Sequence, residues 1–259
     1  MSKICIQGIQ FDEKSSYQRG PRLAPPLIRK ALHSGSYNYV AENGISVDSP
    51  AIVDKGDFEI SDYFEIETIT KNHVAAGHKI LTLGGDHSIT FPIIKAYQSQ
   101  YPKLDILQID AHSDLYHEYE GDPYSHACPF ARIMENKLAI RLVQVGIRAL
   151  TPHQQEQAHK YHVEIHEMKG LDLSQGFRFE NPLYVSIDLD GIDPAFAPGV
   201  SHHEPGGLSS RQVINLLHDL DAEIVGADIV EYNPNKDFQD MTAFLAAKLM
   251  KELLGLMLK

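Results

Sequence analysis

The chain has little of what would assign a protein at once. It carries only two cysteines, Cys5 and Cys128, in 259 residues. A chain of that length builds enough core to fold without a disulfide, so a reducing compartment and a cytoplasmic location are expected. Long hydrophobic runs are missing too. The most apolar stretch, residues 241–258, is broken by Lys248, Lys251 and Glu252 at helical spacing, which excludes a membrane span there. The first six residues lack the apolar core and small-residue cleavage site of a secretory leader, so none is expected. Basic residues are scarce: 23 Lys and Arg stand against 35 Asp and Glu, a net charge of −12. Without a basic stripe, neither nucleic acid nor an anionic membrane is an expected partner. A small cation is the partner such a charge tolerates best. No repeat, low-complexity tract or linker marks a boundary, so residues 1–259 read as a single domain.

What is present is an alternation of short apolar runs with helical patterns. Strands are expected at 3–9, 51–54, 79–83, 105–109, 142–145, 163–165, 183–187 and 224–229. Each is rich in Val, Ile and Leu without clean alternation, the pattern of strands buried on both faces. Helices are expected at 65–76, 91–100, 129–136 and 241–254. One more runs to Lys160 behind a Thr151 N-cap and Pro152, and another follows a Ser209-x-x-Gln212 capping box. This alternation predicts an α/β fold, a three-layer αβα sandwich with a mainly parallel sheet and helices on both faces. The Gly/Pro-rich stretch 193–207 is long for a connection, and loops of that length tend to be functional.

Ligands of such sheets bind beyond the carboxyl ends of the strands. Four strand ends in succession carry acids or histidines: Gly84-Gly85-Asp86-His87-Ser88, Asp110-Ala111-His112-Ser113-Asp114, Asp188-Leu189-Asp190-Gly191-Ile192-Asp193-Pro194, and Glu231-Tyr232-Asn233-Pro234. Taken singly, each residue reads as readily as a turn cap. Taken jointly and in order, they do not. Residues i and i+2 of extended chain face the same way, so Asp110 aims with His112 and Asp188 with Asp190. Asp114 reaches the same centre as the chain turns. That many carboxylates at close range repel one another unless a cation sits among them. Four Asp charges, with His87 and His112 as neutral donors, balance two divalent ions. Oxygen and imidazole donors without thiolate favour Mn²⁺ over a structural Zn²⁺ site. Two such ions can lower the pKa of a bridging water to make a hydroxide nucleophile at neutral pH.

The segments 84–88, 110–114 and 186–199 resemble the three signatures of the ureohydrolases, the family of arginases and agmatinases. The resemblance runs from Gly8 to the C-terminal helix. Segments 124–127, 201–208 and 228–234 look most like the plant-type arginases, a subgroup itself similar to agmatinases. The resemblance implies two Mn²⁺ per subunit. His87 and Asp114 would bind the first ion, His112 and Asp190 the second, and Asp110 and Asp188 would bridge them. Asp114 would also hydrogen-bond the metal-bridging hydroxide. His126 matches a histidine that shuttles protons to and from the leaving amine. Glu231 matches the carboxylate that binds the substrate guanidinium. A guanidinium is a planar cation that stays protonated, so a bidentate carboxylate can fix its carbon over the nucleophile. The implied reaction is hydrolysis of L-arginine to urea and L-ornithine, with agmatine to putrescine and urea as the alternative. A homotrimer or homohexamer is implied as well.

Two other functions are weighed: a single-metal amidohydrolase and a non-catalytic metal-binding protein. The complete ligand set argues against both. Cys128, near His126, is set aside as a nucleophile because the metal site already supplies one. His202 and His203 read as loop contacts or pocket wall, and Asp193-Pro194 as a turn device. The loop 115–125 carries Glu118, Glu120 and Asp122 but no Lys or Arg, which suits an amine better than a carboxylate. The motif match points towards arginine.

Overall fold

A computed structural model of the protein describes residues 3–36, 38–174 and 176–259. The strands are β1 (Ile4–Gln10), β2 (Ile52–Glu59), β3 (Lys79–Leu83), β4 (Asp105–Ile109), β5 (Arg141–Ile147), β6 (Glu164–Glu167), β7 (Leu183–Asp188) and β8 (Ile224–Val230). They form one sheet in the order β2-β1-β3-β8-β7-β4-β5-β6, and every pairing is parallel. All eight expected strands are present. The six central ones are buried on both faces, as their apolar sequences require. The edge strands β2 and β6 differ: they remain partly exposed, and their charged residues keep one side in water.

The helices are α1 (Ala24–Leu32), α2 (Glu65–Ala75), α3 (Thr90–Tyr97), α4 (Pro129–Glu135), α5 (Pro152–Tyr161), α6 (Ser210–His218) and α7 (Met241–Met257). Helices α1, α6 and α7 cover one face of the sheet, where Ile28, Leu217 and Leu253 meet Leu81, Leu107 and Val185. Helices α2 to α4 cover the other, where Ile66, Ile94 and Phe130 meet Ile80, Ile106 and Tyr184. This is the expected three-layer arrangement. Neighbouring strand residues serve opposite layers, so each central strand feeds both cores. The caps expected at Thr151 and Ser209 are both complete capping boxes. Helix α1 is not among the expected helices. Pro25 and Pro26 lie in its first turn, where an N–H has no helical partner to lose. Among the described residues no helix is long and apolar enough to cross a membrane. Cys5 and Cys128 are both free and buried.

One row across the sheet breaks the apolar pattern. Gln7, Thr82, Asp228, Ser186, Gln108 and Gln144 are successive register partners on β1, β3, β8, β7, β4 and β5. All six are fully buried. Buried polar groups must find partners. Gln7 donates to Thr82, Ser186 and Tyr184 donate to Asp228, and Gln144 donates to Gln108. The row lies just beneath the carboxyl ends of the strands and supports the groups above it.

Candidate metal centre and active site

The four motif-bearing strands are consecutive in the sheet: β3, β8, β7 and β4. Their carboxyl ends therefore converge. His87 begins a short 3-10 turn behind Asp86, whose carboxylate accepts from the Ser88 N–H as its N-cap. Gly84 and Gly85 are needed for close approach: a Cβ on Gly85 would lie 1.6 Å from the Phe11 carbonyl oxygen. The third motif likewise presses on the second, since a Cβ on Gly191 would lie 2.7 Å from the backbone nitrogen of Asp110. We expect Gly191→Ala to cost about 1–3 kcal/mol, the usual penalty for overpacking, and to push Asp110 out of register. Denaturant unfolding checks this; an unchanged midpoint would show that the contact is not tight.

Six sequence-predicted ligands are brought together in two groups that share Asp110. His87 Nδ1 lies 3.1 Å from Asp110 Oδ2, 3.1 Å from Asp114 Oδ2 and 3.2 Å from Asp188 Oδ2. His112 Nδ1 lies 3.0 Å from Asp190 Oδ2 and 3.7 Å from Asp110 Oδ1. Asp110 thus turns one oxygen to each group. Asp188 sits with the first group, and its other oxygen accepts the Asp190 N–H at 2.8 Å. Asp114 reaches the centre through a left-handed backbone, φ 50°. Only a sparsely populated conformation places it there, and such strain tends to collect at functional sites.

The residues fit metal ions. His87 Nε2 meets Ser186 Oγ at 2.9 Å, and Ser186 in turn donates to Asp228 at 2.6 Å. The hydroxyl proton is spent on Asp228, so Nε2 carries the imidazole proton and Nδ1 presents a lone pair. That lone pair faces three carboxylate oxygens, and Nδ1 is buried without a hydrogen bond. A lone pair aimed at three anions calls for a cation, a proton or a metal ion; burial opposes the proton, but the three carboxylates outweigh it and lift His87 well above its ordinary range. Burial also raises the carboxyls: Asp114 rises to about 6, helped by Asp110, and Asp188 rises well above the usual carboxylate range, helped by Asp190. Asp110 goes the other way: hydrogen bonds with His112 and His87 outweigh burial and hold its carboxyl well below the usual range. Oxygen and imidazole donors suit a hard or borderline divalent ion. Gln108 donates to Asp110 Oδ2 at 2.6 Å, so two members of the polar row, Ser186 and Gln108, orient ligands from below.

Beside the ligands, a cavity of about 170 Å³ is lined by His112, Asp114, Asp188 and Asp190 together with Ser16, Tyr116, Tyr119, His126, Gln154, His202 and Glu231. His126 and Glu231, 105 residues apart, meet at 2.9 Å between Nδ1 and Oε1. Glu231 Oε1 also accepts the His87 backbone N–H at 2.9 Å, and Glu231 itself has φ 62°. Burial opposes charge on His126, but the Glu231 carboxylate outweighs it and lifts the imidazole to about 9. At Nε2 the ring meets the Ser16 N–H at 3.1 Å.

Sequence reasoning left the N-terminal loop without a role. Here it positions Ser16, whose Oγ lies 2.7 Å from His126 Nε2. Asp86 anchors the loop by accepting the Lys14 N–H and the Ser15 hydroxyl, and Asp12 accepts the Gly20 N–H. No motif pointed to Tyr116, Tyr119 or Gln154; Tyr116 and Tyr119 follow Asp114 closely, and Gln154 stands in the capping box of α5. His202 is a cavity wall, its ring 5.3 Å from His126 and 5.9 Å from His112, and burial lowers its pKa. His203 contacts the Pro198 carbonyl. Asp193 is a turn device, accepting N–H groups from Ala195, Gly206 and Gly207. Both residue pairs behave as expected.

The sequence model described as the Arginase family matches residues 2–255. A mitochondrial arginase of Medicago truncatula is 44% identical, across 98% of this chain and 82% of that protein. An N(1)-aminopropylagmatine ureohydrolase of Thermus thermophilus is 35% identical, across 98% of this chain and 90% of that one. The solved arginase from Medicago truncatula superposes with a TM-score of 0.90 at 41% identity, covering 99% of this chain and 87% of that chain.

Proposed function

The chain belongs to the arginase family, as an arginase-type ureohydrolase enzyme, and we propose that it hydrolyses L-arginine to urea and L-ornithine. The observation that carries guanidine hydrolysis is the His126–Glu231 pair, which faces the two acid-histidine groups across one cavity. His87, Asp110, Asp114 and Asp188 would hold one manganese ion, and Asp110, His112 and Asp190 the other. When bound, the pair supplies a water activated as nucleophile at neutral pH.

The chain's own residues do the rest. Glu231 is fixed by two N–H donors on one oxygen before substrate arrives, so its carboxylate is preorganised for the planar guanidinium. That contact holds the guanidinium carbon towards the acid-histidine groups, which turns a bimolecular encounter into an oriented one. Attack makes the carbon tetrahedral. Collapse breaks its bond to the side-chain nitrogen, which must take a proton to leave as ornithine's amine. His126 stands beside Glu231 and can give that proton, then take another from solvent. Ser16 fixes the ring at Nε2, opposite the Glu231 contact at Nδ1.

The arginine reading rests on the plant arginases at 44% identity. One observation favours agmatine as a second reading. Among the described residues lining the cavity there is no Lys or Arg, and Arg148 nearby is engaged by the carbonyls of Gly146, Asp190, Gly191 and Glu204. An α-carboxylate would be held by neutral donors such as Tyr116, Tyr119 and Gln154. Urea release measured in parallel on arginine, agmatine and guanidinobutyrate decides. Higher kcat/KM on arginine is expected, and a higher value on agmatine replaces the first reading with the second. We also propose a cytoplasmic enzyme that assembles in threes.

A further inference from the structure

A second group of metal-ligating side chains lies at the opposite end of the strands, their amino ends. Cys5 stands near the start of β1, His73 in the last turn of α2, and His78 just before β3. Their ligand atoms all lie within 4.8 Å of one another. His73 Nε2 and His78 Nδ1 are buried nitrogens without a hydrogen-bond partner. Cys5 is fully buried, and its thiol makes only a long contact, 3.9 Å, to the Ile6 carbonyl. Native proteins rarely leave such atoms unpaired, and here two of them sit with one thiol.

We propose that Cys5, His73 and His78 bind a zinc-class cation, separate from the active site. One sulfur and two imidazole nitrogens form a softer donor set than the oxygen-rich groups at the carboxyl ends of the strands, and such a set selects Zn²⁺ over Mn²⁺. The arrangement is local and prepared. The His78 N–H bonds the His73 carbonyl at 3.3 Å across the turn at Gly77, whose φ of 77° suits glycine. Cys5 faces α2 from β1, the strand that pairs with β3. His73 and His78 are half-buried, so an ion can enter from solvent and keep a water as fourth ligand. Burial pushes the Cys5 thiol up to about 11. Metal binding would release that proton, because a coordinating thiol is deprotonated. Lys55 opposes the ion's charge and Asp54 favours it. The site would tie the end of α2 to the first strand, a clip that leaves the catalytic groups free.

Cobalt distinguishes this site, because the active-site groups contain no sulfur. Full-length protein stripped by a chelator is titrated with Co²⁺, and the near-ultraviolet thiolate-to-cobalt charge-transfer band is followed. The band is expected in the wild-type chain, in Cys128→Ser and in Asp110→Asn, and Zn²⁺ should displace it. It should vanish in Cys5→Ser and in the His73→Gln/His78→Gln double variant, whose half-exposed positions spare the core. Each single histidine variant should weaken Zn²⁺ binding on the order of 100-fold. Absence of the band, its survival in the double variant, or its loss in Cys128→Ser would each overturn the proposal.

Discussion

Replacing Asp110 by asparagine is expected to abolish catalysis and to make the metal-free protein less stable. Asp110 is the one residue shared by both groups, with Oδ2 towards His87 and Oδ1 towards His112. Metal ions contribute several kcal/mol of transition-state stabilisation, and each 1.36 kcal/mol is tenfold in rate, so kcat should fall by about 10³-fold or more. Metal content should drop at the same time, because both groups lose their common oxygen donor. The stability loss follows from pairing. Hydrogen bonds and charge attraction from His112 and His87 outweigh burial and hold the Asp110 carboxyl well below its usual range, so the fold favours the charge that asparagine removes. Activity assays, metal analysis and chelator-treated melting curves test the three parts separately. An asparagine variant with wild-type turnover would remove Asp110 from the centre. One that loses activity but melts higher without metal would show that repulsion among the four carboxylates outweighs the pairing with His87 and His112.

Truncating His126 to alanine should lower kcat by about 10²- to 10⁴-fold, the usual range for positioned acid–base groups. The substrate KM should change much less, because Glu231 keeps its second anchor, the His87 backbone N–H. The variant opens space in a cavity already lined by Ser16, Tyr116 and Glu231. Added imidazole can enter there, so rescue that rises with imidazole concentration is expected. Wild-type kcat in the alanine variant would exclude proton transfer by His126. Lost activity with no rescue by imidazole or small amines would assign the ring only the part of orienting Glu231.

Much of this site was legible in the sequence because its ligands come in short segments. Within Asp110-Ala111-His112-Ser113-Asp114, the two-residue spacing of extended chain fixes that Asp110 and His112 aim together, whatever surrounds them. The same holds for Asp188 and Asp190. The supporting row was not legible. Gln108, Ser186 and Asp228 each look like a lone polar residue in an apolar strand, and nothing local says that they are register neighbours. Ser16 was illegible for a similar reason: it reaches His126 across 110 residues through a loop anchored on Asp86.

The sequence by itself determined the number and place of the strands, the caps at Thr151 and Ser209, and the placing of acids and histidines at strand ends. These follow from periodicity and from side-chain chemistry within a few residues. Only the tertiary structure decided that β3, β8, β7 and β4 lie side by side, because strand order depends on which crossovers pack best over the whole sheet. From that order follow the sharing of Asp110 by two groups, the pairing of His126 with Glu231, and the pressing of Gly191 against Asp110. The scarcity of cationic side chains, visible at once in the sequence, gained its meaning only there. The described residues that line the cavity include no Lys or Arg.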